Sequence, residues 1–293
     1  MKKFEHHIPD FLAYLRLEKR YSINTLTAYE IDLIQFKDYL ISTYKEENIK
    51  NIDSVYVRSY MVDLLTENNS KSTVARKISA IKSIFKYLLK KQLVDESPVS
   101  GISTPKVEKR LPNFIKVKEM EQLFNGDLFP SDQYGLRDRL ILSMLYQTGI
   151  RLSELIGLKF SDVSQNEIKV TGKRNKQRII PLSRGLQDLI HEYNNSTNAK
   201  KSIWFLTTDN CDKLYEKFVY RKVNYYLSMV SSKQKTSPHI LRHTFATHML
   251  NNGADLNAIK ELLGHESLSA TQVYTHNTFD KLKSIHKQSH PRG

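Results

Sequence analysis

The sequence predicts a mainly α-helical protein of two domains, the second holding one small antiparallel β-sheet. Apolar residues recur at helical spacing through most of the chain. Residues 98–112, PVSGISTPKVEKRLP, gather three prolines, a glycine, serines and basic side chains, the composition of a linker. One pair of short β-branched runs flanks a basic, glycine-bearing turn, the pattern of a hairpin. The expected boundaries are a helical bundle over 1–97, a basic linker over 98–112 and a second domain over 113–293.

In the bundle, Phe4, Ile8, Phe11, Leu12 and Leu15 share one helix face. Ser22 or Asn24 can cap a second helix with Leu26, Tyr29, Leu33, Phe36 and Leu40 inward. Asp53-Ser54 opens a third, with Val57, Tyr60, Met61, Leu64 and Leu65. Ser70 to Thr73 is a polar turn into a fourth, with Val74, Ile78, Ile81, Ile84, Phe85 and Leu88. Short loops join four such helices into a bundle. The second domain opens near Phe114 with a helix through Met120 and Phe124, then a buried one over Arg137–Thr148. Gly149-Ile150-Arg151 interrupts the pattern and Ser153–Leu158 resumes it. The strands are Glu167–Val170 and Arg178–Leu182, with Thr171–Gln177 as the turn. Helices follow at Leu186–Tyr193, at Tyr215–Met229, from Ser237-Pro238 through Leu250, and at Ala254–Leu263. A basic tail closes the chain.

The chain of 293 residues carries a formal net charge of +14, unevenly. Residues 1–105 hold 16 Lys and Arg against 13 Asp and Glu, and residues 106–293 hold 29 against 18. The second domain is therefore the better candidate for contact with a polyanion, against the alternative of a merely soluble surface. The one cysteine, Cys211, excludes an intrachain disulfide and a cysteine-based zinc site. No stretch approaches the roughly 18 apolar residues of a membrane span, and the N-terminus lacks a signal-peptide core. The expectation is a cytoplasmic protein with no membrane contact.

Residues able to carry chemistry gather in the second domain. Arg151, in TGIRLSELIGL, sets a charge just after a glycine in an apolar pattern. A buried charge needs a partner, so the alternative is a structural ion pair with Glu154 or Asp162. Glu154, one turn on, is placed to orient it. His239 and Arg242 lie at i, i+3 in PHILRHTFATHML and share a helix face, with Pro238 suited to the first turn. His239, His243 and His248 leave a zinc site open as an alternative, though no H-E-x-x-H pattern appears. His265 follows a glycine that ends a helix. Lys173 sits at the hairpin tip, with Lys176 and Arg178 as rivals for anion contact. Tyr274 follows His265 at a short spacing in LLGHESLSATQVYTH.

Such a set suits cleavage of a phosphodiester without a metal. The non-bridging oxygens need positive charge, which arginine supplies permanently and in a fork. A nucleophile and an acid for the leaving oxygen complete it. Residues placed for phosphate contact are Lys71, Arg76, Lys77 and the hydroxyl of Thr73 in the fourth helix, Lys106 in the linker, and Arg174, Lys176 and Arg178 in the hairpin. For each lysine a solvated face is the alternative.

At TGIRLSELIGL, VTGKRNKQRIIPL, PHILRHTFATHMLNNGAD and IKELLGHESLSATQVYTH the chain resembles the tyrosine recombinase (phage integrase) family, and most of all its bacterial Xer subgroup. The four motifs come in order and cover the chain nearly end to end. The resemblance implies a SAM-like, core-binding helical domain followed by a catalytic domain. It places the catalytic set on Arg151, Lys173, His239, Arg242, His265 and the nucleophile Tyr274, which forms a 3′-phosphotyrosyl link to DNA. It implies no metal and no cofactor. It further implies a homo- or hetero-tetramer passing through a Holliday junction, a nucleoid-associated location, and resolution of chromosome dimers under a septal DNA translocase. An integrase or invertase of a mobile element, and an architectural DNA-binding protein with vestigial chemistry, are the rivals. Ala270, where Xer proteins carry threonine, departs from the pattern outside the catalytic set. In the tail, Phe279, Leu282 and Ile285 form an amphipathic turn that the resemblance docks on a neighbouring subunit, with its own domain as the alternative.

Overall fold

The computed structural model describes residues 3–106, 114–172, 177–196, 202–232, 236–264 and 284–292. Two compact units divide the chain, Met1–Arg110 and Leu111–Gly293.

The first unit is helical. A 3-10 turn at Phe4–His7 runs into α1 (Ile8–Leu17), and α2 (Ile23–Tyr39), α3 (Ser54–Thr66) and α4 (Lys71–Lys90) follow. Each of the last three begins where a short polar side chain satisfies an orphan backbone N–H. Ser22 Oγ accepts from Thr25 at 3.3 Å, Asp53 Oδ1 from Val55 at 3.2 Å and Ser70 Oγ from Thr73 at 3.2 Å. The apolar stripes meet in one core of Phe4, Phe11, Leu33, Phe36, Ile78, Ile81, Phe85 and Leu88. Burying each such side chain contributes about 1.5–3 kcal/mol.

Two expectations change in this unit. Lys77 is buried at 6% exposure, not aligned on a solvent-facing row. Its ammonium lies 3.4 Å from the fully buried Asp32 and donates to Gln35, and Arg76 pairs with the same carboxylate. A carboxylate without water requires such partners. The linker also starts later than residue 98. Val99 and Ile102 belong to the first core, and Lys82 donates to the Ile102 carbonyl at 2.5 Å. Lys106 is exposed.

The second unit is built around α6 (Gln133–Thr148), which follows α5 (Val117–Asn125). Asp132 caps α6 by accepting from Tyr134 and Gly135. From Leu140 to Thr148 every residue of α6 is buried, as its apolar sequence predicts. The chain then forms α7 (Leu152–Ile156), the antiparallel pair β1 (Glu167–Thr171) and β2 (Gln177–Pro181), and α8 (Arg184–Ser196). Ile168 pairs with Ile180 and Val170 with Arg178, so the inward face of the hairpin holds three aliphatic side chains and one arginine. α9 (Glu216–Val230), α10 (Pro238–Asn251) and α11 (Leu256–Leu263) complete the unit, with α8 and α10 packed on α6. Between α8 and α9, Trp204 makes an isolated bridge with Lys159 and Phe205 is fully buried.

Residues 284–289 are helical and pack on their own unit. Ile285 joins the cluster of Phe245, Met249, Ile259 and Leu262. The buried His286 and His290 hydrogen-bond the carbonyls of Gln147 (2.7 Å) and Tyr146 (3.3 Å) at the end of α6. The described part of the tail thus takes the own-domain alternative, because α6 and α10 offer it carbonyls and an apolar face. Phe279 and Leu282 lie outside the described residues.

Candidate active site

Three of the six candidate catalytic residues, Arg151, His239 and Arg242, fall within the described residues. Lys173, His265 and Tyr274 lie outside them, as do Arg174 and Lys176.

Two helix ends organise the arginines. α6 stops at Gly149, whose φ of +60° turns the chain out of the helix. α11 stops at Gly264, with φ of +65°. The last carbonyls of a helix lack intrahelical partners and carry the negative end of its dipole, so they attract cations. Arg242, on α10, donates to Gly149 O at 2.5 Å and to Leu263 O at 2.6 Å. Arg151 donates to Gly264 O at 2.9 Å. The two arginines expected to share one site therefore grip successive carbonyls of one helix terminus. His265 is the next residue in sequence.

Glu154 ties this arrangement together. Its carboxylate accepts from the Arg151 backbone N–H at 2.8 Å and from the Arg151 guanidinium at 2.9 Å. Of the two alternatives for Arg151, pairing with Glu154 is realised; Asp162 instead accepts from the Lys159 backbone N–H. Arg178 reaches the same carboxylate from β2 with two parallel bonds of 2.7 and 2.8 Å, and its Nε donates to Leu262 O at 2.9 Å. Expected to face phosphate, Arg178 is instead 4% exposed, with three of its N–H groups engaged inside the protein. The Arg151 side chain keeps 36% exposure and is the open member of the cluster.

Charges follow from this packing. Burial pushes the Glu154 carboxyl up, but hydrogen bonds and charge from Arg178, then Arg151, outweigh it and hold the group down at about 2. Burial and the repulsion of Arg151 and Arg178 pull Arg242 down to about 9, with Glu154 partly offsetting. Arg242 therefore stays charged at neutral pH. Three guanidiniums against one carboxylate leave two net positive charges, which suits a phosphate.

His239 is the second residue of α10 and is exposed, while Arg242 three residues on is buried. His243 is half-buried, and burial, then the charge of His239, lower its pKa. His248 turns away to Tyr146, whose hydroxyl lies 2.9 Å from Nδ1. The three histidines left open as a zinc set thus do not converge. In the first unit Lys71 is exposed and Thr73 is half-buried in the first turn of α4, its hydroxyl 2.8 Å from Ser70 Oγ.

The role that sequence reasoning missed is that of Arg178. The signal was its alternation: Arg178 and Ile180 must point to the same side of a strand, and Ile180 belongs inside.

A small helical bundle followed by a helical unit that holds paired arginines over one helix terminus is an architecture suited to gripping a phosphate of a polyanion. The Phage integrase family covers residues 113–281, and the N-terminal SAM-like domain of phage integrases covers residues 8–92. The tyrosine recombinase XerC of Listeria monocytogenes serotype 4b is 40% identical over 297 residues, 96% of each chain. That of Pelotomaculum thermopropionicum is 36% identical over 304 residues, 98% of each chain. Among solved structures, XerH recombinase bound to a palindromic difH substrate in a post-cleavage complex superposes with a TM-score of 0.71 at 22% identity, over 94% of this chain and 82% of that one. A lambda integrase tetramer bound to a Holliday junction gives 0.71 at 14% identity, over 94% and 81%. The chain belongs to the phage integrase family and is a site-specific tyrosine recombinase of the Xer type.

Proposed function

We propose that the chain cuts and rejoins double-stranded DNA at a specific site through a 3′-phosphotyrosyl intermediate, and that it resolves chromosome dimers at cell division. The phenolic oxygen of Tyr274 attacks the scissile phosphorus and passes its proton to His239. The bond from phosphorus to the 5′ oxygen breaks as Lys173 protonates that oxygen. Arg151, Arg242 and His265 stabilise the charge that gathers on the non-bridging oxygens. The 5′-hydroxyl of a partner strand then attacks the phosphotyrosyl bond, reforms the diester and returns the phenol. One phosphoester replaces another at each step, so the chemistry needs no energy source.

The observation that carries this reading is the grip of Arg151 and Arg242 on the carbonyls of Gly264 and Leu263, the residues that immediately precede His265 in the sequence. Lys71, Thr73, Arg76 and Lys106 are the described candidates for phosphate contact outside it. The relatives named XerC and the tetramer of lambda integrase support a homo- or hetero-tetramer on DNA. Control by a septal DNA translocase and a cytoplasmic, nucleoid-associated location belong to the same reading.

The test is a nicked suicide substrate containing the target site. Purified protein should form a denaturant-resistant covalent adduct, and Tyr274→Phe should form none. An adduct with Tyr274→Phe would remove Tyr274 as the nucleophile.

A further inference from the structure

We infer that Arg178 is a positioning residue of the cleavage site, acting through Glu154 and the end of α11, and not a DNA contact. The inference deepens the proposed function and rests on it.

Arg178 joins three separate elements. It stands on β2, opposite Val170 on the inward face of the hairpin. Its fork closes both oxygens of Glu154, at the start of α7, and its Nε holds the Leu262 carbonyl at the end of α11. The Arg178 side chain also passes close to Gly264: a Cβ there would stand 3.1 Å from Arg178 Cδ and 3.2 Å from Nη1. Glu154 Oε1 is shared between Arg178 and Arg151. Leu262, Leu263 and Gly264 are consecutive, and their carbonyls go to Arg178, Arg242 and Arg151 in turn. Fixing the first of these orients the next two.

The charge arrangement gives this geometry a consequence. A buried carboxylate with one partner removed keeps its need for a cation. Without Arg178, Glu154 draws the half-exposed Arg151 wholly onto itself, and Arg151 is the guanidinium still open to a phosphate. Arg178 therefore leaves Arg151 available by satisfying Glu154 first. A lysine cannot replace it, since one ammonium does not fork two oxygens while also holding a carbonyl. The charged groups around Glu154 are Arg151 and Arg178, with Arg242 behind them.

The experiment measures single-turnover adduct formation on the suicide substrate, with half-site binding and thermal unfolding of each variant alongside. Arg178→Met should slow adduct formation by about 10²-fold or more, with binding within about threefold and its salt dependence unchanged. Arg178→Lys should recover only part of the rate. Arg178→Met with Glu154→Gln should be faster than Arg178→Met, since the carboxylate that captures Arg151 is gone. An unchanged rate in Arg178→Met overturns the inference. So does a shallower salt dependence of binding, which marks a phosphate contact. Should Arg178→Met fail to fold, the rate of Arg178→Lys decides, and a wild-type rate there overturns the inference as well. If the wild type itself forms no adduct, the proposed function fails first, and the two failures stay distinct.

Discussion

Gly149 leaves α6 in the left-handed region, and its carbonyl is one of the two that hold Arg242. A Cβ added there would lie 2.7 Å from Leu263 Cδ2 and 2.7 Å from Phe245 Cδ1, both packed in the core. Gly149→Ala therefore combines backbone strain of roughly 1–2 kcal/mol with overpacking of about 1–3 kcal/mol. At about 2–4 °C per kcal/mol for a unit of this size, the melting temperature should fall by roughly 4–20 °C. Adduct formation should fall with it, because Arg242 loses its seat. Unchanged melting and unchanged cleavage would show that the turn adapts freely. At this scale the sequence is readable where a charge interrupts an apolar period, as at Arg151 and Arg242. The same signal stands at Lys77, among Val74, Ile78 and Ile81, and at Arg178, two residues before Ile180, yet both, expected to contact phosphate, are buried. What it does not contain is the partner. Asp32 stands 45 residues before Lys77 and Glu154 stands 24 before Arg178, and no local spacing announces either pairing.

Elements were legible wherever an end is marked by a side chain that bonds its own backbone. Ser22, Asp53 and Ser70 begin helices in the structure as their residue types require. The tail was less legible. Its amphipathic spacing shows that it docks, but not on what. The decisive features are His286 and His290, which stack at 5.2 Å between ring centres and 5° between planes over Phe245 and Tyr146. Their Nε2 atoms face carbonyls, so each must donate there and both rings fit as neutral groups. Burial lowers the pKa of each, and for His290 the neighbouring His286 adds to it. Both histidines are thus depressed in the docked state relative to the free one. The sign follows by linkage: docking is at full strength above about pH 6.5, the free histidine value, and weakens as pH falls below it, since the undocked tail takes protons first. Hydrogen exchange over residues 284–292 should therefore be slow at about pH 8 and faster at about pH 5.5, after correction for intrinsic rates. Equal protection at both would show that the histidines do not hold the tail.

For the molecule as a whole, the two-unit plan and the mixed α and β character could be read from periodicity and from one proline-rich stretch. The true edge of the first unit could not, because Val99 and Ile102 look like linker residues until their burial beside α4 is seen. Charge is the property that belongs to the whole chain, and most of the +14 excess lies after residue 105. A protein neutralising on the order of 6–10 phosphates should lose about 10³–10⁵ in affinity between roughly 50 and 200 mM salt. Affinity therefore reports the basic surface, while cleavage reports the cluster of Arg151, Arg178, Arg242 and Glu154. These can be separated. The cluster carries two net positive charges of its own, placed by backbone carbonyls and a carboxylate, which is what a metal ion would otherwise bring to a phosphate. Single-turnover adduct yield on pre-bound substrate should accordingly be insensitive to excess EDTA at fixed low salt. Raising salt should reduce binding long before it slows the bound complex. A strict requirement for a divalent cation in the cleavage step would mean that the guanidiniums do not supply the charge, and the roles assigned to Arg151 and Arg242 would have to be given up.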